Sequence, residues 1–73
     1  MNEFRFTTAC ATDVHVREER RVNFATVEEA HEYGLKMLRF AKPHSYVKVC
    51  IVHRYLGRVW YEQVDYLTER TIQ

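Results

Sequence analysis

The sequence predicts an α+β fold in the order β-β-α-β-β, with a four-stranded, mostly antiparallel sheet and one helix packed on one face. Four segments alternate between apolar and polar residues, which is typical of strands that bury one face. The segment between the second and third strands has the spacing of an amphipathic helix. Because only two glycines and one proline occur in 73 residues, we expect regular structure throughout a single domain, residues 1–73.

The first two predicted strands, residues 3–11 and 14–23, form a hairpin joined by a short polar link. Phe4 and Phe6 alternate with polar residues in the first strand, and Val14 begins the same alternation in the second. Residues that alternate in this way lie on one face of a sheet. We therefore expect these apolar side chains to face the helix.

The last two predicted strands, residues 46–55 and 58–67, are rich in aromatic and β-branched residues. Gly57 lies between them, where a tight hairpin turn needs a positive φ. Two registers are compatible with this turn, and a slip of one residue exchanges the two faces of a strand. The sequence therefore leaves open which alternate side chains of the last strand face the helix.

The helix is predicted over residues 27–41. Thr26 is placed to cap its first turn, and Glu29 follows three residues later, as in a capping box. Gly34 costs about 1 kcal/mol relative to alanine in a helix interior. Its position in the apolar stripe predicts that the helix backbone there comes close to the sheet. Pro43 marks the end of the helix.

The charge balance argues against a dedicated nucleic-acid binder. Eleven basic and ten acidic side chains give a net charge of +1, whereas such binders usually carry a large basic excess. Two cysteines, Cys10 and Cys50, are too few for a disulfide framework. Neither a signal peptide nor a membrane-spanning segment is recognisable. We expect free thiols, no membrane association and a cytoplasmic location.

The residues that could carry chemistry do not form a known motif. The four histidines and two cysteines lack the spacing of a zinc site, and Cys10 with His15 would supply only two of four ligands. No glycine-rich phosphate loop occurs, and neither cysteine has the setting of an activated nucleophile. We therefore expect no enzyme activity, no metal and no cofactor, and we interpret His31 as a packing residue of the helix.

One helix covers one face of a four-stranded sheet, so the other face is the predicted contact surface. Arginine and tyrosine, which are enriched at binding hot spots, recur among the side chains expected there. The residues predicted to contact a partner are Arg17, Arg21, Tyr46, Lys48, Arg54 and Tyr61. Protein binding is the favoured interpretation. Two alternatives remain: a nucleic-acid-binding module that uses this basic and aromatic face, and a self-associating structural domain, such as a homodimer.

A short chain that begins "MNEFRF", places one helix on a small antiparallel sheet and carries no catalytic motif resembles the small accessory proteins of bacteriophages and prophages, of which the anti-CRISPR proteins are the best-known set. The resemblance covers the whole chain in size and layout. It implies a phage-encoded inhibitor in the host cytoplasm that sterically blocks a host protein or ribonucleoprotein complex. It carries no residue role onto this sequence.

Overall fold

The computed structural model describes residues 1–72 and confirms the predicted order of elements. The sheet has the strand order β2-β1-β3-β4, and all three neighbouring pairs are antiparallel. The elements are β1 (Asn2–Cys10), β2 (Asp13–Phe24), α1 (Val27–Arg39), β3 (Ser45–Tyr55), β4 (Arg58–Leu67) and a short 3-10 turn (Glu69–Ile72). Helix α1 packs on one face of the sheet, and no α-helix among residues 1–72 covers the opposite face.

The helix begins where its capping residue predicts. The Thr26 hydroxyl accepts a hydrogen bond from the Glu29 backbone N–H at 3.2 Å and lies 3.3 Å from the Glu29 carboxylate, to which it donates. The helix ends at Arg39, two residues before the predicted boundary. The Ala41 N–H bonds to the Leu38 carbonyl at 3.2 Å, so the last turn tightens to an i→i+3 bond before Pro43.

The core lies between α1 and the central strands. Its largest fully buried side chains are Phe4, Phe6, Leu67, Val47 and Val49. A Cβ atom placed on Gly34 would lie 2.7 Å from Leu67 Cδ1. The predicted close approach of the helix backbone to the sheet is therefore confirmed, and glycine is the residue that permits it.

The sequence left open which side chains of β4 face the helix, and in the structure the register of β4 changes at a β-bulge. Asp65 pairs with Val49, but Gln63 pairs with Cys50, so Val64 is an extra residue between the two pairs. Val64 packs against the core, and the Asp65 carboxylate contacts His31 of α1. Both therefore face the helix. The side chains that face the helix therefore do not follow one alternating pattern along the whole of β4, because the bulge shifts the alternation by one residue at Val64.

The expectation that Val14 faces the helix is wrong, because its side chain is 89% exposed. The pairing of β1 with β2 jumps from Ala9–Arg17 to Cys10–Asp13. Three residues of β2 therefore leave the ladder, and alternation no longer fixes the direction of their side chains.

The hairpin between β3 and β4 turns through Leu56 and Gly57, with φ values of 49° and 76°. Two successive positive φ values flanked by the Tyr55–Arg58 pair define a two-residue turn of type I′. The predicted positive φ at Gly57 is confirmed. Leu56 takes the same left-handed region although it carries a side chain, which is 84% exposed.

Candidate interaction surface

The face of the sheet opposite α1 is called the outer face below. Residues that pair directly across antiparallel strands point to the same side, so the pairing assigns its members. They are Glu3, Arg5, Thr7 and Ala9 of β1, Arg17, Glu19, Arg21 and Asn23 of β2, Tyr46, Lys48, Cys50, Val52 and Arg54 of β3, and Val59, Tyr61, Gln63 and Tyr66 of β4.

All six residues predicted to contact a partner belong to this face: Arg17, Arg21, Tyr46, Lys48, Arg54 and Tyr61. They are not equivalent. Arg21 and Arg54 are engaged by carboxylates of the same face. Lys48 and Arg17 form no ion pair with any of residues 1–72, and both are exposed.

Two carboxylates hold three arginines on the outer face. Glu3 accepts hydrogen bonds from Arg54 Nη2 at 2.9 and 3.2 Å and from Arg54 Nε at 3.3 Å. Arg21 Nη1 lies 3.8 Å from the same carboxylate. Glu19 forms an ion pair with Arg5 and lies 3.9 Å from Arg21 Nη2. The sequence did not predict this network, because it depends on the strand order that sets β1 between β2 and β3.

Tyr61 lies within this network. The Arg5 guanidinium carbon is 4.5 Å from the centre of the Tyr61 ring, a cation–π geometry. Arg21 Nη2 donates a hydrogen bond to the Tyr61 hydroxyl at 3.2 Å. Two arginines therefore hold the tyrosine from its face and from its hydroxyl. A side chain that is already ordered loses less conformational entropy when a partner binds.

Two apolar members of the outer face are buried although no helix covers them. Cys50 and Val52 are only 9% and 8% exposed. Their cross-strand neighbours are Arg5 and Tyr61. The long side chains of the network thus form a second packed layer on this side of the sheet.

At one end of the outer face, Tyr46 and Tyr66 stack with ring centres 5.4 Å apart and an interplanar angle of 23°. Both rings border a shallow cavity of about 390 Å³, together with His44 and Glu69. The backbone N–H of His44 donates to the Glu69 carboxylate, which ties the start of β3 to the final turn. This contact fixes one wall of the cavity.

The sequence did not predict a groove of about 510 Å³ between α1 and β2. Tyr33, Met37 and Val16 contribute apolar walls, and charged side chains such as Arg20 and Lys36 stand at its rim. The Arg20 guanidinium donates to the Tyr33 hydroxyl at 3.4 Å and pairs with Glu18. These contacts join the edge strand to the helix.

The cysteines and histidines occupy separate places. The Cys10 thiol lies 3.3 Å from the Thr12 hydroxyl and 3.4 Å from the Pro43 carbonyl oxygen, to which it donates. The Thr12 hydroxyl lowers the pKa of this thiol below its ordinary value. His31 Nδ1 contacts the Asp65 carboxylate. Within residues 1–72, no three His, Cys, Asp or Glu side chains come together as metal ligands.

Comparisons of the chain with protein-family models, with curated proteins and with solved structures give no match. No helix in the described part of the chain combines the length and apolar character needed to cross a membrane. The chemistry of the outer face is thus the basis for a functional proposal.

Proposed function

We propose that this chain is a non-enzymatic protein-binding domain whose outer face contacts an acidic surface of a partner protein. The observation that carries the proposal is the ordered arginine–tyrosine layer around Tyr61. The outer face holds five basic and two acidic side chains, so it keeps a positive excess although the whole chain is nearly neutral. Charge complementarity of this kind steers association and selects acidic partners.

The same layer favours a protein partner over a nucleic acid. Phosphate binding needs free cations, but Glu3 and Glu19 already hold three of the five basic side chains. Base stacking needs open aromatic rings, but Arg5 lies over Tyr61, and Tyr46 and Tyr66 stack on each other. Arginine and tyrosine anchors held in place suit a protein interface instead.

Lys48 and Arg17 are assigned a steering role. Both are exposed cations of the outer face without a carboxylate partner among residues 1–72. Charges at the rim of an interface mainly raise the association rate and the salt dependence of binding. Tyr61 and the arginines around it are assigned the anchoring role.

The resemblance in size and layout to the anti-CRISPR proteins extends the proposal to the identity of the partner. In this extended proposal, the chain is a phage-encoded inhibitor, and its partner is a host defence complex or another complex that handles nucleic acid. Inhibition needs no chemistry: a rigid body of 73 residues occupies a surface that the complex requires. The acidic surface is the site that the outer face covers.

The test is affinity purification of the tagged chain from a nuclease-treated bacterial lysate. We expect one protein complex to be retained at near-stoichiometric amount. In a binding assay with that complex, Arg17→Glu/Lys48→Glu should weaken affinity roughly tenfold or more, because repulsion replaces attraction at two positions. Lys36→Glu, which changes an exposed lysine on α1, is the matched control and should bind like the wild type.

Two results would contradict the proposal. One is recovery of nucleic acid in the absence of nuclease with no protein retained in its presence. The other is loss of the partner by Lys36→Glu with full retention by the outer-face variant, which would place the interface on the helix side.

A further inference from the structure

We propose that the open edge of β4 pairs with the same edge of a second copy of this chain, giving a two-fold symmetric dimer with a continuous eight-stranded sheet. The inference does not rest on the proposed function. It uses the backbone groups at the edge of β4, and it is tested with Arg58 and Glu62, which do not belong to the outer face.

The two edges of the sheet differ in their protection. Strand β2 carries five consecutive charged residues, 17–21, which is a common defence against edge-to-edge pairing. Near the start of β4, Val59, Trp60 and Tyr61 are apolar or aromatic and 45%, 47% and 41% exposed. Only Arg58 and Glu62 flank them with charge. The β4 edge is therefore the one suited to pairing.

The hairpin geometry determines which backbone groups face that edge. In a two-residue turn of type I′, the residues that close the turn, here Tyr55 and Arg58, form a hydrogen-bonded pair. Hydrogen-bonded and non-hydrogen-bonded pairs then alternate along the ladder. The N–H and C=O groups of Trp60 consequently point toward β3, and those of Val59 and Tyr61 point away from the sheet.

This alternation selects a self-complementary register. If the two-fold axis passes beside Trp60, Val59 of one copy forms a hydrogen-bonded pair with Tyr61 of the other, which uses the outward-pointing backbone groups. Arg58 then lies opposite Glu62 of the other copy, twice by symmetry. Trp60 lies opposite Trp60, and aromatic cross-strand pairs stabilise sheets. The charge match identifies a second copy as the occupant.

The register in which the two-fold axis lies one residue further along β4 is less favourable. If the axis passed beside Tyr61, Trp60 would lie opposite Glu62, and Arg58 would have no carboxylate opposite it. The side chains needed for the first register are also already placed. The Trp60 ring stacks on His53 with ring centres 5.5 Å apart, and the Glu62 carboxylate lies 2.9 Å from His53 Nε2.

Dimerisation would stabilise a domain whose core is small. A chain of 73 residues buries a smaller fraction of its surface than a larger domain, and association is a common way to bury more. Pairing at β4 would cover Val59 and Trp60 and satisfy the backbone groups of the edge.

The experiment is sedimentation velocity of the wild type and two charge-reversal variants, Arg58→Glu and Glu62→Arg, over a wide concentration range. We expect a concentration-dependent dimer for the wild type. Each variant alone should raise the dimer dissociation constant roughly tenfold or more, because like charges then face each other at two symmetric positions. The double variant Arg58→Glu/Glu62→Arg restores opposite charges and should recover the dimer.

Mixing supplies the sharpest readout. A mixture of Arg58→Glu with Glu62→Arg should form a heterodimer in native mass spectrometry, although each variant alone stays mostly monomeric. Lys36→Glu is a control away from the edge, and circular dichroism of each variant checks its folding. The proposal is overturned if the wild type remains monomeric at its highest soluble concentration, or if its dimer is unaffected by both reversals. These variants leave Lys48 and Arg17 unchanged, so this failure is distinguishable from failure of partner binding.

Discussion

Arg54 Nη2 donates hydrogen bonds to both carboxylate oxygens of Glu3, at 2.9 and 3.2 Å, and so joins β3 to β1 across the outer face. The same carboxylate lies 3.8 Å from Arg21 of β2. Glu3 therefore links three strands and offsets the positive charge of this face. Replacing the Glu3 carboxylate therefore tests the protein-binding interpretation against the nucleic-acid alternative.

We expect the double substitution Glu3→Gln/Glu19→Gln to bind nucleic acid more tightly than the wild type does. It frees three arginines while the amides preserve the size of both side chains. Fluorescence anisotropy with single-stranded DNA should show binding by the variant that weakens steeply with added salt. If the wild type binds as tightly as the variant, the carboxylates do not control the face, and the nucleic-acid alternative gains support.

Gly34→Ala should lower the free energy of unfolding by about 1 kcal/mol, measured by urea denaturation. Alanine improves helix propensity by about 1 kcal/mol. However, its Cβ would lie 2.7 Å from Leu67 Cδ1 and 3.4 Å from Val49 Cγ2. Both neighbours are buried, and overpacking a core costs about 1–3 kcal/mol. We expect the packing effect to exceed the propensity gain.

The control for this prediction is Leu67→Val, which removes the Cδ atoms. Adding Gly34→Ala to that background should be close to neutral or stabilising. A stabilising Gly34→Ala in the wild-type background would contradict the packing explanation.

Leu56→Asn should stabilise the fold by about 0.5–1 kcal/mol, because the short polar side chain of asparagine hydrogen-bonds locally and tolerates the left-handed conformation better than leucine does. The Leu56 side chain is exposed, so little burial is lost. Asn-Gly is also the preferred pair for a type I′ turn. The midpoint of chemical denaturation is the measurement. Gly57→Ala is the opposite control: open space surrounds the position, yet its φ of +76° should make the substitution destabilising.

The contacts of Asp13 predict that part of the folding stability is lost in acid. The backbone N–H of His15 donates to Asp13 Oδ1 at 3.0 Å, and Lys42 Nζ lies 3.2 Å from Oδ2. These contacts lower the pKa of the Asp13 carboxyl, chiefly through the backbone donor. Because the folded pKa lies below the unfolded one, the stabilisation is present above the ordinary carboxyl pKa of about 3.9 and is lost as pH falls through the folded value.

Asp13→Asn should therefore lower the melting temperature at neutral pH, and its difference from the wild type should shrink as the pH falls below the ordinary carboxyl pKa of about 3.9. Lys42→Met removes only the weaker contact and should cause a smaller loss. A difference between Asp13→Asn and wild type that is the same at neutral and acidic pH would contradict the assignment.

Local signals in the sequence were sufficient for much of the fold. Thr26 and Glu29 marked the helix start, and Gly57 marked the hairpin, because capping and positive φ depend on a few neighbouring residues. The bulge in β4 and the break in the pairing of β1 with β2 were not predictable in the same way. No residue type marks the extra Val64, and the residues around Val14 leave the ladder without a change in composition.

On the outer face, too, local patterns were predictable and contacts between distant residues were not. Alternation assigned Tyr61 and Lys48 to candidate contact sets, and the structure places both on this face. The ion pairs of Glu3 were missed, since they join residues about twenty and fifty positions apart and depend on strand order. That network changes the interpretation of the arginines from free cations to ordered anchors.

The bulge in β4 also gives this strand a tolerance to changes in chain length. Val64 is the residue that the ladder does not need, because Gln63 and Asp65 pair with adjacent residues of β3. Removing it would leave both halves of the strand in their present register. Removing another residue from the ladder on either side would require part of the strand to shift, and a shift of one exchanges its faces. Natural relatives that differ by one residue in this strand should therefore differ at Val64.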